Sequence, residues 1–232
     1  MIFLLDEQDI TFPPASLAGP DGLLAVGGDL RPERLIEAYK NGIFPWYNEE
    51  NEFLWWSPDP RLVIRPSEVH YSKSMRRLFR GKPYKITVDY AFDKVIRACS
   101  SIKRPDQDGS WILPEMIEAY EKLHHLGFAH SVEAWDKNGR LAGGLYGVAL
   151  GKIFFGESMF SQQSNASKAA FLTFAAFLDK NNFILIDSQQ DTPHMRSLGG
   201  FLMGRDEFLK VLKNGVKKGN KPQNWKQELV YL

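Results

Sequence analysis

Over residues 166–179 the chain offers a helix that is apolar almost all the way round: Ala169, Ala170, Phe171, Leu172, Phe174, Ala175, Ala176, Phe177 and Leu178 leave it almost no polar face. Such a helix must be buried against a sheet, and its neighbours supply one. Before it, residues 141–149 and 153–160 read as two strands joined by the tight turn Leu150-Gly151-Lys152. After it, 183–187 reads as a strand whose run Phe183-Ile184-Leu185-Ile186 is apolar at every position, as expected when both faces are covered. Ser164 or Asn165 is the expected N-cap of the helix. The last strand ends abruptly in Asp187-Ser188-Gln189-Gln190, and the carboxyl end of a buried strand is where an open α/β sheet usually holds its ligand.

An apolar share of 44% over 232 residues can bury a sizeable core, in one large domain or in a small one plus a medium one. The single cysteine, Cys99, excludes an internal disulfide, and neither it nor the five histidines are spaced as zinc ligands, so no metal is expected. A net charge of +1 argues against indiscriminate polyanion binding and confines any nucleic-acid contact to a local patch. Met1-Ile2-Phe3-Leu4-Leu5 is too short for a signal-peptide core, and no apolar run elsewhere would span a bilayer; a cytoplasmic protein is expected.

Residues 1–62 differ in texture from the rest. Pro13, Pro14, Gly19, Pro20, Gly22, Gly27, Gly28, Pro32, Pro45, Pro58 and Pro60 break them repeatedly, leaving one helix, 32–41, stopped by Gly42. This small module carries Trp46, Tyr47, Trp55 and Trp56, which either fill a mini-core or offer a stacking face for a base. Next, Ser72 or Ser74 can cap a short helix bearing Lys73, Arg76, Arg77 and Arg80, whose guanidinium groups at i, i+1 and i+4 suit phosphate binding or simple solvation. A strand at 84–88 leads to a helix at 91–100, where Phe92, Val95, Ile96 and Cys99 recur at helical spacing and make Cys99 a core residue. A helix at 113–126 starts with Pro114 and stops at Gly127, with His124 and His125 on the last turn, where the helix C-terminus favours them. A strand at 130–135 joins residue 141 through Lys137-Asn138-Gly139-Arg140, a hairpin signal. The later lysines, Lys210, Lys213, Lys217, Lys218, Lys221 and Lys226, read as solvated. The order of elements gives an α+β class: a loop-rich N-terminal module over 1–62, then a mixed α/β domain over 63–232 of the GCN5-related N-acetyltransferase type.

Eight stretches then line up in order. GLLAVGGDL (22–30), NGIFPWY (41–47), LWWSPDPR (54–61), GSWI (109–112), GGLYGVALG (143–151), FFGESMFSQQSNASK (154–168), LIDSQ (185–189) and TPHMRSLGG (192–200) resemble segments of the bacterial leucyl/phenylalanyl-tRNA-protein transferases. The resemblance implies an aminoacyltransferase that moves Leu, Phe or Met from aminoacyl-tRNA to the α-amino group of proteins beginning with Arg or Lys, forming a peptide bond and creating an N-degron. Its implied partners are charged tRNA and those proteins, with no membrane and no cofactor, and a monomer is expected.

The same resemblance makes Asp187 and Gln189 the catalytic pair. At i and i+2 on a strand their side chains would share a face and a hydrogen bond, Gln189 positioning the amine while Asp187 orients it or takes the proton. From the residues alone, a cap for the following turn is the preferred reading of Asp187. The resemblance further implies that Glu157 closes the bottom of an aminoacyl pocket lined by Leu145, Phe154, Met159, Phe174 and Ile186. Trp46 and Trp111 would hold the terminal adenosine, and Lys73, Arg76, Arg77 and Arg80 the acceptor stem. Asp191 is a candidate for recognising the basic acceptor. No Ser/His/Asp or Cys/His arrangement is present, and none is required: an aminoacyl ester is already activated, and an α-amino group of pKa near ~8 is appreciably neutral. Two other functions stay open. An acyl-CoA N-acetyltransferase would need a glycine-containing pyrophosphate loop, and residues 161–167 contain no glycine. A tRNA-binding module without catalysis would use the tryptophans and arginines, but not Asp187, Gln189 or Glu157.

Overall fold

A computed structural model of the chain describes residues 2–48, 52–102, 112–217 and 224–231. Trp111, Lys218 and Lys221 lie outside the described residues. The proline-rich beginning forms a sheet of β1 (Phe3–Leu5), β2 (Leu23–Gly27), β3 (Phe44–Pro45) and β4 (Leu54–Trp56) in the order β1-β2-β4-β3. Between β2 and β3 runs α1 (Pro32–Lys40), with proline at its first position, where no backbone donor is lost.

The larger sheet begins with β5 (Arg61–Ile64), which straddles the expected boundary at residue 62. Its other strands are β6 (Lys85–Val88), β7 (Ala129–Trp135), β8 (Leu141–Leu150), β9 (Ile153–Ser161), β10 (Leu185–Gln189), β11 (Phe201–Met203) and β12 (Gln227–Leu229), in the order β11-β5-β10-β9-β8-β7-β6-β12. Helices α2 (Lys73–Arg80), α3 (Phe92–Ser100), α4 (Pro114–His125), α5 (Ala166–Lys180), α6 (Pro193–Ser197) and α7 (Arg205–Val216) complete it. Every expected element is present. β10 starts two residues late: Phe183 still closes the end of α5, donating to the Leu178 carbonyl, while Ile184 donates to the Lys152 carbonyl just before β9.

α5 packs on one face of this sheet against β7, β8 and β9, and α3 and α4 cover the other. Period-2 alternation sorts the side chains between two cores. Leu145, Phe154 and Ile186 face α5, while Tyr146, Phe155 and Leu185 face α3 and α4 in a core that runs on to Leu24 and Trp55 of the small sheet. Among the described residues β9 and β10 form the one parallel pair of the larger sheet, and α5 is their crossover. This mixed sheet with a hairpin, a buried crossover helix and a parallel neighbour is the mixed α/β arrangement that the order of elements predicts.

Candidate active site at the splay of two parallel strands

β9 and β10 pair only as far as Phe155 and Asp187. Beyond them β9 follows β8 and β10 follows β5, so the strands part. Two local irregularities enforce the parting. On β9, Gly156 pairs with Gly147 and Ser158 with Tyr146, which leaves Glu157 as the extra residue of a β-bulge. Gly147 permits it: a Cβ there would lie 2.1 Å from the Phe155 carbonyl oxygen. On β10 the register with β5 slips between Asp187 and Gln189, and Gln189 takes a left-handed φ of 54°.

The parted strands open a cavity of about 230 Å³. Leu145, Phe154, Met159, Phe171 and Ile186 form its apolar wall, and Glu157, Ser188, Gln189, Gln190 and Thr192 its polar side. Phe44, Pro45 and Trp46 of the small sheet close one flank, and His194 and Met195 of α6 another. Four of the five residues expected in the apolar lining are there. Phe174 is the exception: its ring packs behind Phe154 at 4.8 Å between centroids, and Phe171, almost one turn earlier on α5, takes the wall position. Met195 shows that α6, a five-residue helix too short to announce itself by period, also reaches the cavity.

Asp187 does not line this cavity. It is fully buried, and Arg61 on β5 grips it from behind: Nε donates to Oδ1 at 3.0 Å and Nη2 to Oδ2 at 2.7 Å. The remaining guanidinium nitrogen donates to the Gly42 carbonyl at 2.8 Å, while the rings of Phe44 and Phe208 flank the cation at 4.9 and 4.7 Å. Asp187 Oδ1 also accepts the backbone N–H of Gln189 at 3.0 Å. The expected side-chain bond between Asp187 and Gln189 is therefore not made. Because the chain turns left-handed at Gln189, the i, i+2 rule fails there, and the Gln189 amide instead donates to Glu157 Oε1 at 3.3 Å. The turn-capping reading of Asp187 and the positioning reading describe the same bond.

Glu157 is partly buried at the cavity wall. Its Oε2 accepts from the Tyr120 hydroxyl at 3.0 Å, and that hydroxyl is in turn bonded to the hydroxyl of Tyr39 on α1. Burial pushes the Glu157 carboxyl up to about 7; the hydroxyls of Tyr39 and Tyr120 and the Arg61 charge hold it down, and the Asp187 carboxylate adds to the rise. Both tyrosines are pushed well above the ordinary phenol value, first by burial and then by the Glu157 charge, so they stay protonated. Burial, and secondarily Lys168, lowers the His194 imidazole, which keeps it neutral. Arg61, Tyr39 and Tyr120 carried no functional signal in the sequence, although Arg61 closes the LWWSPDPR stretch.

The remaining candidates are spread around this centre. Trp46 is half-buried at the cavity, edge-on to Trp56 at 5.6 Å, whereas Trp55 is fully buried with its indole N–H on the Gly27 carbonyl. Trp55 thus fills the mini-core, while Trp46 and Trp56 stay half-buried. Lys73, Arg76, Arg77 and Arg80 are exposed on α2, which Ser72 caps, and whose Met75 and Phe79 enter the same core as α5. None of the four has a carboxylate in ion-pair range among the described residues. Asp191, in contrast, is occupied by both Nε and Nη2 of Arg196 at 2.6 Å. His124 bonds the Ala129 carbonyl and stacks on Phe92, a structural role. No group of three metal-ligating side chains occurs among the described residues, and no helix is long and apolar enough to cross a membrane.

Residues 63–213 match the family described as leucyl/phenylalanyl-tRNA protein transferase, and residues 28–59 match its N-terminal domain. Curated relatives of that name include a protein of Desulfatibacillum aliphaticivorans, 51% identical over 98% of this chain and 97% of its own. Another, from Syntrophus aciditrophicus, is 52% identical over 93% and 90%. Among solved structures, that of L-PGS from Bacillus licheniformis overlaps 71% of this chain and 51% of its own at 10% identity and a TM-score of 0.39.

Proposed function

The chain belongs to the leucyl/phenylalanyl-tRNA protein transferase family, and from that premise we propose that it moves Leu, Phe or Met from charged tRNA to the α-amino group of proteins beginning with Arg or Lys. The observation that carries the reading is the cavity itself. It joins an apolar wall sized for one side chain to a polar side that ends in Glu157 and Gln189, at the carboxyl end of a buried strand. An aminoacyl ester seated there has its side chain against Leu145, Phe154, Met159, Phe171 and Ile186 and its carbonyl toward Gln189. The shape of the wall must reject branching at Cβ, since one methylene is worth only ~1–3 kcal/mol.

In this reading Trp46 stacks the terminal adenosine, and Lys73, Arg76, Arg77 and Arg80 contact the acceptor stem. Gln189 has no useful basicity and positions the amine; Asp187, out of reach of substrate, positions Gln189 through its backbone. Residues 1–62 act as the module that walls the cavity and anchors Arg61, and 63–232 as the catalytic domain. The protein works as a monomer in the cytoplasm and takes no cofactor.

The acetyl-CoA alternative meets a specific obstacle. The N–H groups of Gln162, Gln163 and Ala166 already donate to the carbonyls of Ala142 and Gln163, and that of Ser167 faces Ser161 Oγ at 3.4 Å, so the loop has few amides left for a pyrophosphate. The test offers both donors to one peptide with N-terminal Arg. Leu-tRNA should lengthen the peptide by one N-terminal leucine and acetyl-CoA should leave it unchanged; acetylation without leucylation would overturn the proposal.

A further inference from the structure

The reaction needs one more group than the positioning residues supply. At neutral pH most acceptor α-amino groups are ammonium, with pKa ~7.7–8.0, and an ammonium has no lone pair with which to attack an ester. Only the neutral fraction reacts unaided, so a group at the site that receives that proton would bring the predominant ammonium form into reaction. Asp187 is excluded by geometry: both of its oxygens are held by Arg61, one also by the Gln189 N–H, and it does not reach the cavity. Glu157 does reach it, as the extra residue of a bulge that turns its carboxylate toward the splay.

We infer that Glu157 is the proton acceptor of the transfer step, that Tyr120 and Tyr39 are positioning residues that set its basicity, and that Gln189 holds the amine beside it. This rests on the aminoacyl-transfer reading above. When Glu157 is ionised the hydroxyl chain runs one way: Tyr120 donates to Glu157 Oε2, so Tyr39 donates to Tyr120, and both protons point toward the carboxylate. The other oxygen, Oε1, faces Gln189 and the cavity. With Arg61 and Asp187 cancelling, an ionised Glu157 leaves the site one net negative charge, which suits a cation. The acceptor ammonium gives one proton to Glu157; its nitrogen lone pair then forms the C–N bond to the ester carbon. As the tetrahedral adduct collapses, the ester C–O bond breaks and a second amine proton leaves with the departing ribose oxygen. Glu157 afterwards loses its proton to solvent through the open cavity.

Other groups facing Glu157 could shape a pH profile. Tyr39 on α1 and Tyr120 on α4 stay protonated, and Asp187 and Arg61 are paired to each other. His194 on α6, which shares the cavity, is shifted below its ordinary value and does not titrate upward into the range of interest. A rate limb near 7 is therefore assigned to Glu157.

Single-turnover transfer from Leu-tRNA to an Arg-starting peptide, corrected for spontaneous deacylation, should rise through a limb near 7. Glu157→Gln keeps the shape and an acceptor for the Tyr120 hydroxyl, and should lose ~10²- to 10⁴-fold at about pH 6.5. Its limb should move up to the amine's own value, so the defect shrinks above about pH 8.5. Tyr120→Phe removes a bond that favours the carboxylate, and should move the limb to higher pH. A Glu157→Gln enzyme that keeps the wild-type rate and limb, or one slowed equally at every pH, would overturn the assignment while leaving aminoacyl transfer standing. A limb unmoved in Tyr120→Phe would remove the tyrosines from it. Wild-type protein that transfers nothing would sink the functional reading, and this inference with it.

Discussion

Arg61 holds the centre of the site together from outside it. Its guanidinium takes both oxygens of Asp187 and the Gly42 carbonyl, and through Asp187 it fixes the left-handed turn at Gln189. Removing one partner of a buried ion pair leaves the other charge unsolvated and costs ~3–5 kcal/mol. Arg61→Leu should lower the free energy of unfolding by about that amount in a urea titration. Arg61→Lys, which keeps the charge but not the fork, should lose less stability and still reduce kcat more than it raises KM. Wild-type stability and turnover in both variants would contradict the positioning role. This residue was illegible from sequence because it stands 126 positions from its partner, and strand pairing alone brings them together. Tyr39 and Tyr120, 81 positions apart, were hidden in the same way, each passing for an apolar position of an amphipathic helix. Asp187 and Gln189 stood out as polar groups at the carboxyl end of a buried strand, and Glu157 as a carboxylate within one, but the roles expected of them came from the family resemblance.

At the scale of elements, the hairpin, the all-apolar α5 and the buried β10 were readable by period, and they specify the sheet that frames the cavity. The bulge at Glu157 was not, since it depends on which β8 residue each β9 residue meets, and register is a tertiary fact. Nor was the choice of Phe171 over Phe174, which follows from how α5 is rotated on the sheet; both residues are apolar, and a helix without a polar face gives no direction. α2 carries a prediction of its own. Its buried side is fixed by Met75 and Phe79, so its arginines can be changed without disturbing the core. Replacing Arg76, Arg77 and Arg80 together by Ala should weaken tRNA binding and flatten its salt dependence by roughly 0.7–0.9 per lost phosphate contact. Reaction with leucyl-adenosine, which has no acceptor stem, should be unchanged. Equal losses with both donors would mean that α2 serves the fold rather than the tRNA.

For the molecule as a whole, the two sheets share one core across Leu24, Trp55, Tyr146 and Phe155, and the site draws on both: Tyr39, Phe44 and Trp46 come from the proline-rich beginning, the rest from the larger sheet. The breakers made that beginning look separate in sequence, and its contribution to the cavity emerges only from packing. The central claim is that this joint cavity brings a tRNA-borne Leu or Phe ester to a protein's N-terminal amine and selects that protein by a basic first residue. Its most direct test is transfer of labelled leucine from Leu-tRNA to two proteins identical except that one begins with Arg and the other with Glu. The account predicts incorporation at the N-terminus of the Arg protein alone; equal labelling of both, or labelling of neither while Leu-tRNA remains bound, would contradict it.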